Sequence, residues 1–152
     1  MTDTPQDVYL SPFSQRYAGK QMQALFSPLH RARLFRRLWL MLATSQRALG
    51  LPITEAQLHE MAARTEDVDL AEVERLERQT RHDVMAHLQA FAAVCPGAAP
   101  ILHLGATSCF VTDNADILIM RDAMALLKRR LLGTARKLAG VADKYKDLPM
   151  LA

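Results

Sequence analysis

The sequence is poor in cysteine, glycine, proline and aromatic residues, and each shortage closes a class of explanation. Cys95 and Cys109 are the only cysteines in 152 residues. They form no C-x-x-C pair and stand in no ligand-like spacing with histidine, so neither a disulfide framework nor a metal site is expected. The six glycines and seven prolines fall mostly between periodic segments, while Ala, Leu, Met, Arg, Glu and Gln dominate, which favours helix over sheet. No apolar run approaches the roughly 20 residues needed to cross a bilayer. The first seven residues are polar and acidic, without the basic start and apolar core of a signal peptide. A cytoplasmic chain with reduced thiols and no membrane association is expected. Charge of one sign is also missing: 19 Lys and Arg are interleaved with 16 Asp and Glu for a net charge of +3, so no nucleic-acid footprint is expected. What is abundant is apolar surface. Half of the residues are hydrophobic, enough for a sizeable core in a chain of single-domain length, and the fold class read from these patterns is all-α.

Periodicity and punctuation divide the chain. Residues 1 to about 26 show no sustained period and read as an extended arm ending in a turn-rich loop. Ser27 as N-cap with Pro28 at the first helical position opens a strong helix that Gly50 and Pro52 stop. Its apolar stripe of Leu34, Leu38, Trp39, Met41, Leu42 and Leu49 should face the core, with Arg31, Arg33, Arg36 and Arg37 on the polar face. Thr54 with Gln57 signals a capping box for a short helix carrying Leu58 and Met61, and Asp69 with Glu72 signals another. From Leu70 the pattern runs through Val73, Leu76, Val84, Leu88 and Phe91 to Cys95-Pro96-Gly97. Thr80 is placed to cap a fresh start within it, which would put Arg81, His82 and Asp83 in a first helical turn. The last segment, about Thr112 to Asp147, has no proline before its end. Its apolar positions step by heptads through Ile117, Met120, Met124, Leu127, Leu131, Leu138, Val141 and Tyr145. Such a helix, about 54 Å long, should outreach a globule about 40 Å across. Leu118, Ile119, Leu126 and Leu132 widen the stripe, as in a bundle helix awaiting partners or an obligate oligomer.

Two polar knots interrupt this apolar chain. Thr80-Arg81-His82-Asp83 is one. Ile101-Leu102-His103-Leu104-Gly105-Ala106-Thr107-Ser108 is the other, gathering an imidazole, a glycine and two hydroxyls where a helix is about to start and where free backbone N–H groups suit a carboxylate or phosphate. Together they suggest a site for an anionic small molecule. Each residue also has a plain structural use. His82 could be part of a surface ion-pair cluster, His103 a buried histidine bonded to the main chain, and Thr107 and Ser108 helix caps. His87, five positions after His82, does not share its face and reads as structural. Arg16-Tyr17 could hold a phosphate through a guanidinium and a phenol, or could be a solvated loop pair.

These residues, in this order, resemble the adenylosuccinate lyases of the fumarase/aspartase superfamily. The resemblance is carried by SPFSQRYA at 11–18, LWLMLA and LGLPIT around 38–54, TRHDVMAH at 80–87 and HLGATSCFVTDNAD at 103–116. It covers nearly the whole chain and looks closer to the branch that includes the animal enzymes than to the shorter bacterial type.

What the resemblance implies is a helical domain over 1–111 with part of the substrate site, then the first long helix of a central bundle over 112–152. The implied activity is β-elimination of fumarate from adenylosuccinate, giving AMP, and from the succinylated carboxamide intermediate of purine synthesis, in a homotetramer without metal or organic cofactor. By matched position, Arg16 and Tyr17 would bind the phosphate region of the nucleotide. Arg81, His82 and Asp83 would line the pocket, and Thr107 and Ser108 would hold a succinyl carboxylate. His82 and His103 are the candidate catalytic residues of this segment. The family's general acid lies in a Thr-His-x-Gln motif beyond the Leu-Pro segment, and its base is a serine on a later glycine-containing loop. Neither falls within the 152 residues, so this segment alone is expected to be inactive. Two other readings remain open: a sibling such as an argininosuccinate lyase, against which Arg16-Tyr17 and TRHDV argue, and a helical interaction module without enzymatic activity.

Overall fold

The computed structural model describes residues 11–149 and 151, and every described element is helical. A π-helical turn, Phe13–Tyr17, leads into α1 (Lys20–Leu25), α2 (Pro28–Ala48), α3 (Glu55–Ala63), α4 (Leu70–Thr80), α5 (Asp83–Val94), a 3₁₀ turn (Ala99–Ile101) and α6 (Ser108–Tyr145). The all-α expectation holds.

Local chemistry explains most boundaries. The Ser27 hydroxyl accepts the His30 N–H with Pro28 just inside α2, and Gly50 follows the helix at φ 93°, where a side chain would be strained. Thr54 and Gln57 exchange both bonds of a capping box at α3, and Asp69 accepts the Ala71 and Glu72 N–H groups at α4. Between 11 and 26 the expected extended arm is instead the π turn followed by α1. Gln23 locks the two together by donating from Nε2 to the Ser14 and Ala18 carbonyls, each at 2.8 Å. Residues 1–10 of that arm lie outside the described residues.

The core forms where α2 crosses α5 and the start of α6. Phe35, Leu38 and Trp39 of α2 bury themselves against Met61, Val84, Phe91, Val111, Ala115 and Ile119. A smaller cluster of Val73, Ala86 and Ala90 joins α4 to α5. Met41 and Leu49, expected on the buried stripe of α2, are instead exposed. Arg36, expected on its polar face, is 3% exposed. Its Nη1 donates to the Arg64 and Asp67 carbonyls, and its guanidinium lies 4.7 Å above the Phe91 ring. A buried guanidinium is tolerable because backbone acceptors and a π face replace its water. The result is a clamp tying the α3–α4 loop to the core.

The 38-residue α6 starts at Ser108, four residues earlier than expected, and is about 57 Å long at 1.5 Å per residue. The division expected at 111/112 therefore falls inside a continuous helix. Val111, Ala115, Ile119, Ala123 and Leu126 are its buried residues, and none lies beyond 126. The heptad positions Ile117, Met120, Met124, Leu127, Leu131, Leu138, Val141 and Tyr145 are all exposed. No helix among the described residues is long and apolar enough to cross a membrane.

Candidate functional site

The two polar knots meet. α4 and α5 do not share a fresh start capped by Thr80; α4 runs through Thr80 and ends on Arg81, whose φ of 53° is left-handed. The cap of α5 is His82, and of the three residues expected in the first turn only Asp83 is helical. Thr80 stays with the junction, its hydroxyl accepting the His82 N–H at 3.3 Å. Arg81 occupies a conformation that glycine adopts without penalty and that costs an L-residue on the order of 1 kcal/mol. Its side chain projects from the junction into solvent.

His82 uses both ring nitrogens. Nδ1 accepts the Met85 N–H at 3.4 Å, and Nε2 lies 3.3 Å from the Ser108 Oγ. With Nδ1 accepting, Nε2 carries the proton and donates to Ser108, leaving the hydroxyl proton free to turn outward. The Asp83 carboxylate is 3.6 Å from Nδ1, so a protonated ring would trade the backbone donor for that carboxylate. Ser108 is the first residue of α6. The Thr107 hydroxyl makes no capping bond there, and the first turn holds no acidic residue. The helix end thus offers N–H groups and two hydroxyls of net positive potential, without an internal anion to satisfy them.

His103 approaches from the loop before α6. It too is left-handed, at φ 59°, with Gly105 following at 67°. Its partner is not the main chain: Trp39 Nε1 donates to His103 Nδ1 at 3.0 Å. The imidazole stands edge-on to the indole, ring centres 5.9 Å apart. Burial holds the His103 pKa below the ordinary histidine value, and the charge of nearby His82 pushes the same way. Trp39 read from sequence as an ordinary core residue. Only its being the sole tryptophan in the chain set it apart. His87 is structural as expected: half-buried, edge-on to Phe35 at 5.3 Å, its pKa lowered by burial.

Arg16 and Tyr17 do not join this cluster. Both are exposed on the π turn, where Tyr17 packs at 6.2 Å on Phe13. The turn leads into contact with the middle of α6: a Cβ on Gly19 would come within 2.9 Å of Arg130. Arg130 lies 22 positions from Ser108, about 33 Å along the helix. The segment after the turn therefore packs on the middle of α6, and not at the start of that helix, where His82 and Ser108 meet.

Against known proteins, no family model matches the chain. Curated relatives do. It is 46% identical over 148 residues to the adenylosuccinate lyase of Saccharomyces cerevisiae, covering 95% of this chain and 31% of that protein. It is 42% identical over 144 residues to that of Schistosoma mansoni, covering 95% and 30%. With the adenylosuccinate lyase of Methanocaldococcus jannaschii it shares 31% identity over 137 residues, 89% and 30%. The chain spans just under a third of the length of these relatives. Matches running through both polar knots and nearly all of the 152 residues place the chain in the adenylosuccinate lyase family.

Proposed function

We propose that this chain is part of a C–N lyase that eliminates fumarate from adenylosuccinate and from the succinylated aminoimidazole carboxamide ribotide, and that it supplies the donors gripping the acidic end of the substrate. The observation that carries this reading is the His82–Ser108 contact at the uncapped start of α6, with His103 beside it. In such an elimination a base removes a proton next to a carboxylate while an acid protonates the leaving nitrogen. Charge develops on the substrate carboxylate, and preorganised donors that meet it there lower the barrier. Thr107, Ser108 and the α6 N–H groups are placed to hold that carboxylate. His82, His103, Arg81 and Asp83 line the approach, with both histidines touching substrate. The acid and the base would come from the two-thirds of the relatives' length that this chain does not span.

Arg16 and Tyr17 bind the nucleotide phosphate in this reading, from a second copy of the chain. Their place beside the middle of α6, away from its start, argues for it: the two sets of groups would meet when α6 helices pack side by side, as in the expected homotetramer. In the same reading residues 112–152 begin a shared helical bundle, the protein works in the cytoplasm, and no cofactor takes part.

The test is a polypeptide of the relatives' full length incubated with adenylosuccinate, with fumarate and AMP measured. Thermal shifts with AMP and with argininosuccinate separate the sibling reading. Stabilisation by argininosuccinate but not AMP would transfer the assignment, and no response to either with no turnover would leave a helical interaction module. Arg16→Ala should weaken AMP binding roughly tenfold to a hundredfold, as loss of a charge-assisted phosphate pair worth about 1.5–3 kcal/mol implies. Adenosine binding should change little. Equal losses for both would remove the phosphate role.

A further inference from the structure

The pairing of Trp39 with His103 decides which proton that histidine can carry. An indole N–H donates and never accepts, whereas a neutral imidazole has one donor and one acceptor nitrogen. Trp39 Nε1 points at Nδ1 from 3.0 Å. Nδ1 must then hold a lone pair, and the ring proton sits on Nε2, the nitrogen turned away from the core. Adding a second proton at Nδ1 would require breaking the bond to Trp39.

Neither partner has room to rearrange. Trp39 is 1% exposed, stacked on Phe91 at 6.1 Å and edge-on to Phe35 at 6.0 Å. Phe91 is in turn covered by the Arg36 guanidinium, itself tied to the carbonyls of Arg64 and Asp67. On the other side the loop carrying His103 is pinned twice. The Ala106 N–H bonds to the His103 carbonyl at 3.2 Å, and Gln46 Nε2 donates to the Leu104 carbonyl at 2.7 Å. A chain of contacts thus runs from the α3–α4 loop through Arg36, Phe91 and Trp39 to the imidazole.

We infer that Trp39 is a positioning residue that fixes His103 as a neutral Nε2–H donor, so that His103 meets an anionic or carbonyl oxygen of the substrate by hydrogen bonding and does not relay protons. The part concerning substrate rests on the proposed lyase site; the tautomer does not. Burial and the neighbouring charge of His82, the titratable group bearing on this ring, both oppose protonation and agree with the assignment.

The test begins on the unsubstituted chain labelled with ¹⁵N. The single tryptophan gives one indole resonance, so a scalar coupling across the N–H···N bond to a histidine Nδ1 is unambiguous. Long-range ¹H–¹⁵N correlation should show His103 with an unprotonated Nδ1 and a protonated Nε2 from pH 8 down through about 6.5, the ordinary histidine midpoint. A proton on Nδ1, or ordinary titration at that midpoint, would overturn the inference without any reference to catalysis. Trp39→Phe keeps the ring and removes the donor. In it His103 should show mixed tautomers and protonate at higher pH than in the parent. In the full-length enzyme the same variant should lower kcat/KM at least tenfold, with the acidic limb of its pH profile displaced upward. Unchanged rate and profile, with the tautomer released as expected, would overturn the positioning role. If Trp39→Phe does not fold, the coupling and tautomer of the parent protein still decide the case.

Discussion

The two halves of α6 are built from similar residues and have opposite fates. From Ser108 to Leu126 one face is covered: Val111, Ala115 and Ile119 join the core beneath α2, and Ala123 and Leu126 are buried further along. From Leu127 onward no residue is buried, although Leu131, Leu138 and Val141 are as apolar as anything in the near half. Hydrophobicity alone therefore does not say where a helix is covered. Small residues do not do that sorting either: Ala115 and Ala123 lie on the covered face, but the far half carries Gly133, Ala135, Ala139 and Gly140 as well, beside Arg129, Arg130, Arg136 and Lys137. A lone apolar stripe of this length, rimmed by charge, has the pattern of an association surface.

The sharpest way to break the comparison is to place the same charge in each half. Ile119→Asp, at a position 4% exposed, should cost more than about 4 kcal/mol by burying an unpaired carboxylate and leave little folded protein in urea titrations. Leu138→Asp, at 64% exposure, should leave the melting temperature unmoved. Equal effects would mean that the far half is covered within the chain. Next in size is association. Sedimentation equilibrium should show the mass of the parent rising with concentration, and Leu131→Lys with Leu138→Lys should return it to that of one chain. A monomeric parent would remove the association surface.

Arg81→Gly tests the near end, where strain and the site coincide. Relieving φ 53° should raise stability by up to about 1 kcal/mol, a gain of roughly 2–4 °C. Affinity of the full-length enzyme for adenylosuccinate should fall at least tenfold. Unchanged affinity would mean that Arg81 serves only as a helix end.

The smallest effect is a pH dependence. Burial lowers the His87 pKa in the folded chain, so below the unfolded value of about 6.5 the unfolded chain binds a proton that the folded one refuses. Stability present above that pH is lost as pH falls. The melting temperature should drop between pH 7 and 5, and His87→Gln should flatten the slope. A slope unaffected by that change would place the effect elsewhere.

Sequence exposed what local chemistry decides. Ser27-Pro28, Thr54-Gln57 and Asp69 announced three helix starts because each cap satisfies N–H groups two or three residues away. It misplaced the α4–α5 break because the left-handed residue there is Arg81, whereas pattern reading looks for glycine. It missed α1 because six residues are too few for a period to show. Arg36 was misread because a charge reads as surface until its carbonyl partners, about 30 positions away, are known. The site divided along the same line. His82, Ser108 and His103 were legible as chemistry, but the bond from Trp39, 64 positions distant, was not. Nor could spacing in the chain reveal that the turn carrying Arg16 and Tyr17 packs near the middle of α6, apart from the residues they were grouped with.

An uninterrupted α-helix is also a ruler with angular markings. Inserting or deleting one residue between Leu126 and Arg130 would change the length by only about 1.5 Å but would turn everything beyond it by about 100°. The near half could keep its packing while the stripe of the far half swung away from any neighbour. Point changes on the exposed side of this stretch should therefore be far better tolerated than a single-codon gain or loss, and length, more than composition, is what this part of the chain must preserve.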